Sequence, residues 1–307
     1  MLMTEINWID GQEYPFASHY FQLPAGNVHY IDEGSGPPVV MVHGNPTWSF
    51  VYRKLIKKLR PQYRCIAMDH LGFGLSDKPA DWTYLPKDHA ANLFALIEAL
   101  GLQNIILVGQ DWGGPIGLSY AVTRTANVSG LVIMNTWAWP VNRDPYYLAF
   151  SRFMGSPIGR LLIQRYNFFA RSIMRRVFAD QDKLTDALHE HYLRALATPE
   201  ERTGCAELPK QIVKSTPWLR EIRDHLYLLT NTPVLIVWGM KDIAFRKKEL
   251  KQWEHIFPQA RTVRLPSAGH FVQEEAPDEL AEAVVSFLKD TSEMGVTRKL
   301  FPSGLLP

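Results

Sequence analysis

Val108-Gly109-Gln110-Asp111-Trp112-Gly113-Gly114 is the stretch on which the fold of this chain turns. The apolar run Asn104-Ile105-Ile106-Leu107-Val108 feeds it, and the apolar, small-residue segment Pro115 to Val122 leaves it. A short unbroken apolar run suits a strand covered on both faces of a parallel sheet, and the segment after it suits a helix packing back on that strand. Gly109 and Gly113 stand two residues to either side of Asp111. That spacing fits a nucleophile elbow, where small neighbours let the chain turn so sharply that the central side chain projects from the strand end. Here the central residue is aspartate instead of the usual serine. Taken alone, the same residues also describe a plain glycine-rich turn between a strand and a helix.

Working outward, further apolar runs alternate with helical patterns, which marks a parallel α/β sheet. Strands are expected over Asn27 to Ile31, Val39 to Val42, Arg64 to Met68, Leu131 to Met134, Val234 to Val237 and Thr262 to Leu265. Between Met134 and Val234 lie about 100 residues, far more than a connection between a strand and its neighbour needs. Amphipathic helical patterns fill much of this interval, over Tyr146 to Met154, Leu161 to Phe178, Gln181 to Leu196 and Leu219 to Leu229. We read residues 139–226 as a helical cap inserted at the carboxyl edge of the sheet, where ligands bind in open α/β folds. The body is then formed by 1–138 and 227–290, and 291–307 is an irregular tail. Its apolar residues Leu300, Phe301, Leu305 and Leu306 invite packing on the body or on a second subunit.

The composition narrows the class. With 46% hydrophobic and 21% charged residues in 307, the chain has enough apolar material for one large core. A formal net charge of +2 gives no reason to expect nucleic acid or an anionic membrane as partner. Cys65 and Cys205 show no metal-ligand spacing, and together with the lack of a signal-like start this points to a reduced, cytoplasmic setting. His189-Glu190-His191 does not read as a metal site, because positions i and i+2 of a helix point apart, and a solvated helix face is expected there.

Three more segments fall at strand ends, on the side where Asp111 should emerge. His43-Gly44-Asn45-Pro46 follows Val39 to Val42, and its backbone N–H can join that of Trp112 in an oxyanion hole. Gly239-Met240-Lys241-Asp242 follows Val234 to Val237, and Ala268-Gly269-His270-Phe271 follows Thr262 to Leu265. The order Asp111, Asp242, His270 is the nucleophile, acid, base order of α/β-hydrolases. Four such coincidences at strand ends favour catalysis over a structural origin.

The motifs resemble those of haloalkane dehalogenases, a family of the α/β-hydrolase superfamily, over about His19 to Leu288. The resemblance rests on His43-Gly44-Asn45-Pro46-Thr47, on Asp69-His70-Leu71-Gly72-Phe73-Gly74-Leu75-Ser76-Asp77-Lys78-Pro79, and on Gly109-Gln110-Asp111-Trp112-Gly113-Gly114. It implies an eight-stranded, mostly parallel sheet with a helical cap. It further implies Asp111 as nucleophile, His270 as base and Asp242 as acid, since Asn135 stands at the strand end where one branch of the family has Glu. Asn45 and Trp112 become the halide site, a combination similar to the third subgroup. The substrate would be a haloalkane with water, the products an alcohol, a halide ion and a proton, and neither metal nor organic cofactor is needed. Trp137, Trp139, Phe150, Phe168, Phe169, Phe178 and Leu208 are candidates for the pocket wall, each at least as able to serve as core. Phe271, directly after the base, is the stronger candidate because its neighbour is fixed in the site. Two other functions stay open on the same residues: an epoxide hydrolase using cap tyrosines among Tyr146, Tyr147, Tyr166 and Tyr192, and a small-molecule receptor or oxygenase.

Overall fold

The computed structural model describes residues 8–300, with side chains as far as Thr291. Its centre is an eight-stranded sheet in the order β1-β2-β4-β3-β5-β6-β7-β8. The strands are β1 His19–Leu23, β2 Gly26–Glu33, β3 Pro38–Val42, β4 Arg64–Met68, β5 Ile105–Gln110, β6 Val128–Met134, β7 Val234–Gly239 and β8 Arg261–Leu265. The first two run antiparallel to their neighbours, and the rest are parallel. All seven apolar runs picked out in the sequence are strands. The eighth, β1, is a half-exposed edge strand, so its residues His-Tyr-Phe-Gln-Leu never form a continuous apolar run.

Alternation along the central strands builds two apolar layers. Val40, Val42, Leu107, Leu131 and Ile133 pack on one face, and Val39, Met41, Ile106, Val108 and Val132 on the other. Every one of them is buried, at roughly 1.5–3 kcal/mol for each side chain removed from water. The sheet is therefore a rigid plate, and its carboxyl edge a fixed platform.

The interval between β6 and β7 is helical, as Pro145–Met154, Pro157–Tyr166, Asp186–Arg194, Thr203–Lys214 and Thr216–His225. Two details depart from the sequence expectation. The pattern over Leu161 to Phe178 is not one helix: Asn167 adopts φ 51, closes the first segment, and the chain resumes as Phe169–Ile173 and Met174–Val177. Thr203–Lys214 was not expected at all, because Pro209 lies inside it and proline argues against a helix interior. At the C-terminus the last helix runs from Pro277 to Leu300, so the first part of the expected irregular tail is helical. The tail contact expected through Leu300, Phe301, Leu305 and Leu306 lies outside the described residues. Among the described residues no helix is long and apolar enough to cross a membrane. Cys65 and Cys205 are buried and free.

Candidate active site

Asp111 follows β5 directly and begins the turn into the helix Gly113–Thr123. Its φ of 51 is left-handed, an uncommon conformation for a residue with a side chain and one that aspartate tolerates better than most. The strain is held by packing. A Cβ on Gly113 would collide with the carbonyl of Val42, and one on Gly44 with the Asp111 carboxylate itself. Glycine is therefore required at both positions for the loop after β3 to approach the turn after β5.

That approach sets the contacts of the carboxylate. The Asn45 N–H donates to Asp111 Oδ1 at 2.8 Å, and the Trp112 N–H also bonds to the carboxylate. Oδ2 faces His270 Nε2 at 3.9 Å, beyond a direct hydrogen bond. Burial pushes the Asp111 pKa above the ordinary aspartate value, while His270 and the two N–H groups pull it back.

His270 lies in the loop after β8. Its Nδ1 meets Asp242 Oδ2 at 2.9 Å, and Asp242 follows β7. Asn135, at the end of β6, donates through Nδ2 to the same Asp242 oxygen at 2.8 Å, and the Ala244 N–H donates to Oδ1 at 2.6 Å. With Nδ1 turned to the acceptor oxygen of Asp242, Nδ1 carries the ring proton and Nε2 keeps the lone pair. Burial opposes a charge on His270, but Asp242, Asp111 and Glu275 more than offset it and raise its pKa above the ordinary histidine value. Two rings support the imidazole: Phe245 stacks on it at 5.6 Å and Phe271 meets it edge-on at 4.6 Å.

A cavity of about 230 Å³ opens over Asp111, and its wall is overwhelmingly apolar. Of the residues expected to line it, Trp137, Phe150, Phe169 and Phe271 do. Trp139, Phe168, Phe178 and Leu208 lie outside the wall. Trp139 packs edge-on against Trp253, and Phe178 against Phe271. Leu208 is turned into the core while Pro209 and Ile212 of the same helix face the cavity, as consecutive helix positions differ by about 100°. Phe168 precedes Phe169 and faces away from the cavity for the same reason. Asn45 is tied to this helix, since its Nδ2 donates to the Cys205 carbonyl at 3.2 Å and its Oδ1 has no partner. Trp137 Nε1 is also buried without a partner, and its ring meets Trp112 edge-on at 4.7 Å.

Two sets of bonds fasten the helical segment to the strand-end loops. On one side, the His270 N–H donates to the Val177 carbonyl at 3.1 Å. There Glu275 Oε2 accepts from the Ala179 and Asp180 N–H groups at 2.8 and 3.2 Å, while Oε1 accepts from the Gly269 N–H at 3.0 Å. On the other, the Tyr146 and Tyr147 hydroxyls donate to the carbonyls of Ile243 and Ala244 at 2.7 and 3.0 Å. Arg246 reaches Asp144 at 2.6 Å and covers both tyrosine rings. Tyr146 and Ile243 are exposed where they line the cavity, which places its mouth on this second side. His189 and His191 are buried and not on a solvated face: His189 bonds to the Ala170 carbonyl, and His191 to the Ala187 carbonyl and the Asp10 N–H.

Residues 37–277 match the α/β hydrolase fold family. Over 278 residues the chain is 42% identical to haloalkane dehalogenase 2 of Mycobacterium tuberculosis, covering 90% of this chain and 96% of that protein. The chain belongs to the haloalkane dehalogenase family. A haloalkane dehalogenase of Bradyrhizobium elkani superposes on it with a TM-score of 0.83 at 25% identity, covering 91% of this chain and 99% of the other. The cis-3-alkyl-4-alkyloxetan-2-one decarboxylase of Shewanella oneidensis is also similar, 34% identical over 289 residues, 91% of each chain. Within this dehalogenase-family site, sequence reasoning passed over Gln110, Asn135 as a partner of Asp242, Phe245 and Glu275. Gln110 and Asn135 adjoin strand ends already singled out, which was the available signal. Glu275 gave none.

Proposed function

We propose that the chain hydrolyses the carbon–halogen bond of haloalkanes through an ester on Asp111, under a cap formed by residues 139–226. The observation that carries this reading is a carboxylate at the elbow whose Oδ1 is held by the Asn45 N–H, leaving Oδ2 toward an apolar cavity and the base. Asp111 Oδ2 attacks the carbon in line, the carbon–halogen bond breaks, and the halide leaves with the bonding pair. Halide is a weak acceptor and gains from preformed donors in a dry cavity. The Trp112 indole N–H and the second hydrogen of Asn45 Nδ2 serve as those donors. His270 Nε2 then takes a proton from water, whose oxygen attacks the ester carbonyl carbon. The negative charge formed on Oδ1 rests on the N–H groups of Asn45 and Trp112, and Asp242 stabilises the imidazolium. Collapse breaks the bond between the carboxyl carbon and the alkyl-bearing Oδ2, and the leaving alkoxide takes the proton of the added hydroxyl to become the alcohol. Asp111 is again a carboxylate, and the proton on His270 is released to solvent.

The epoxide alternative needs a free phenol over Asp111. The hydroxyls of Tyr146 and Tyr147 donate to main-chain carbonyls, and that of Tyr192 to Glu274 at 2.6 Å. Tyr166 is exposed and does not line the cavity. A second reading has more support, because the Shewanella relative is similar over nearly its whole length: attack by Asp111 on a four-membered lactone. pH-indicator turnover on 1-bromobutane, 1-chlorobutane, styrene oxide and a cis-3,4-dialkyloxetan-2-one separates the three. Acid and bromide release from 1-bromobutane is expected. Turnover of the lactone alone would replace the dehalogenase reading.

The halide donor can be tested separately. Trp112→Phe keeps an aromatic ring, smaller than the indole, but loses the N–H, and carbon–halogen cleavage should slow by an amount equivalent to ~2–4 kcal/mol, as for one lost oxyanion donor. Quenching of tryptophan fluorescence by bromide should weaken in the same variant. Bromoalkane turnover at the parent rate would move the halide to another donor.

A further inference from the structure

Gln110 is the residue before Asp111 and is fully buried at the end of β5. Its side-chain amide reaches past the nucleophile to the base. Nε2 lies 2.9 Å from His270 Nε2 and 3.2 Å from the His270 carbonyl, while Oε1 has no hydrogen-bond partner. The orientation of this amide follows from its neighbours. A carbonyl oxygen can only accept, and with the ring proton on Nδ1 toward Asp242, His270 Nε2 also can only accept. The NH2 group satisfies both. The flipped amide would set Oε1 against two acceptors, so one stranded buried oxygen is the lesser cost.

We propose that Gln110 is a positioning residue that occupies the proton-accepting nitrogen of His270 in the resting site, keeping the ring neutral and unpaired from Asp111. This inference rests on the catalytic roles proposed above. Its reason lies in the charges that surround the imidazole. Asp242 faces it from the loop after β7, Asp111 from the end of β5 and Glu275 from the segment after its own loop. From the helical segment, Arg176 is the charged residue lining the cavity. The three carboxylates favour an imidazolium, and an imidazolium 3.9 Å from Asp111 would close into an ion pair with it. Such a pair would blunt the nucleophile and leave no base for the ester. An N–H donated to the lone pair favours the neutral ring, since an imidazolium would put two donors face to face. When water is to be deprotonated, the amide yields Nε2 and keeps its bond to the His270 carbonyl.

The test is a histidine-resolved NMR titration of the substrate-free enzyme, with Gln110→Met and Gln110→Glu beside the parent. Methionine fills the same space without a donor, and the His270 titration should move up by about half to one pH unit, the worth of one hydrogen bond. Glutamate offers an acceptor to the imidazolium and should move it further. In single-turnover bromide release, the acid limb of the Gln110→Met variant should shift with the titration, and the rate at high pH should stay within about twofold of the parent. A merely structural role would lower Tm or the rate at all pH values and leave the titration where it was. Either variant titrating at or below the parent's pH overturns the proposal. The titration needs no substrate, so an enzyme inert to bromoalkanes would sink the dehalogenase reading and still decide this one.

Discussion

A His270→Gln variant given 1-bromobutane should release about one bromide per enzyme molecule and then stop. Attack by Asp111 uses no base, because the carboxylate is already charged and its Oδ2 makes no hydrogen bond to His270. Hydrolysis of the ester does need one. Removing a positioned general base costs about 10²–10⁴-fold, so steady turnover should fall by that factor while the first bromide appears at close to the parent rate. Intact-protein mass should rise by one butyl group, on the peptide that contains Asp111. An adduct elsewhere, or none, would sink the covalent mechanism. A pH consequence goes with it. The His270 pKa is raised partly by Asp111, so below that pKa the free-enzyme ring is cationic and above it the ring can act as base. Esterification neutralises Asp111 and removes that contribution. The acid limb of ester hydrolysis in the parent enzyme should therefore lie below the pH at which His270 titrates in the free enzyme.

The second large effect is expected at Asp242. Replacing it with asparagine should lower turnover by roughly 10⁴-fold, as when a triad aspartate becomes an amide and the histidine adopts the wrong tautomer. Alkyl-enzyme should accumulate, because the loss falls on hydrolysis. Asn135 sharpens the expectation. Its Nδ2 and the His270 Nδ1 meet on the same oxygen, Asp242 Oδ2, so the end of β6 and the end of β7 address one face of the ring. Adding Asn135→Glu to Asp242→Asn should recover part of the rate. Recovery should be incomplete: Asn135 sits at φ 29, and its Oδ1 accepts the Gly239 N–H at 2.8 Å, a bond that glutamate reproduces poorly. Full activity in Asp242→Asn alone would place the acid elsewhere.

The fold was legible because the five central strands, β3 to β7, are buried on both faces and so spell themselves as apolar runs. β1 escaped for the opposite physical reason, being an edge strand whose side chains are half in water. The three catalytic candidates were legible because each follows a strand at the carboxyl edge, and the structure brings them within hydrogen-bond or near-contact range. The pocket wall was not. Helix register decides whether Leu208 or Pro209 meets the cavity, and register depends on packing between helices, which a local pattern does not encode. Asn45 was expected to face the site, yet one of its donors is spent on Cys205, a residue 160 positions away. Glu275 was invisible because its partners are main-chain N–H groups, which leave no trace in residue identity.

The fastening of Val177, Ala179 and Asp180 to the loop of His270 bears on how such a protein can change over generations. A lineage cannot exchange its roof as a block without disturbing the alignment of its base, because the two share a main-chain bond and the carboxylate of Glu275. The opposite seam, Tyr146 and Tyr147 on Ile243 and Ala244, is similarly bound to the loop of Asp242. Heritable novelty in what the cavity admits is therefore cheapest in the span between the seams, where Phe150 and Ile173 meet the cavity without touching either loop by a hydrogen bond. Diversity among descendants should collect there, with both seams inherited together.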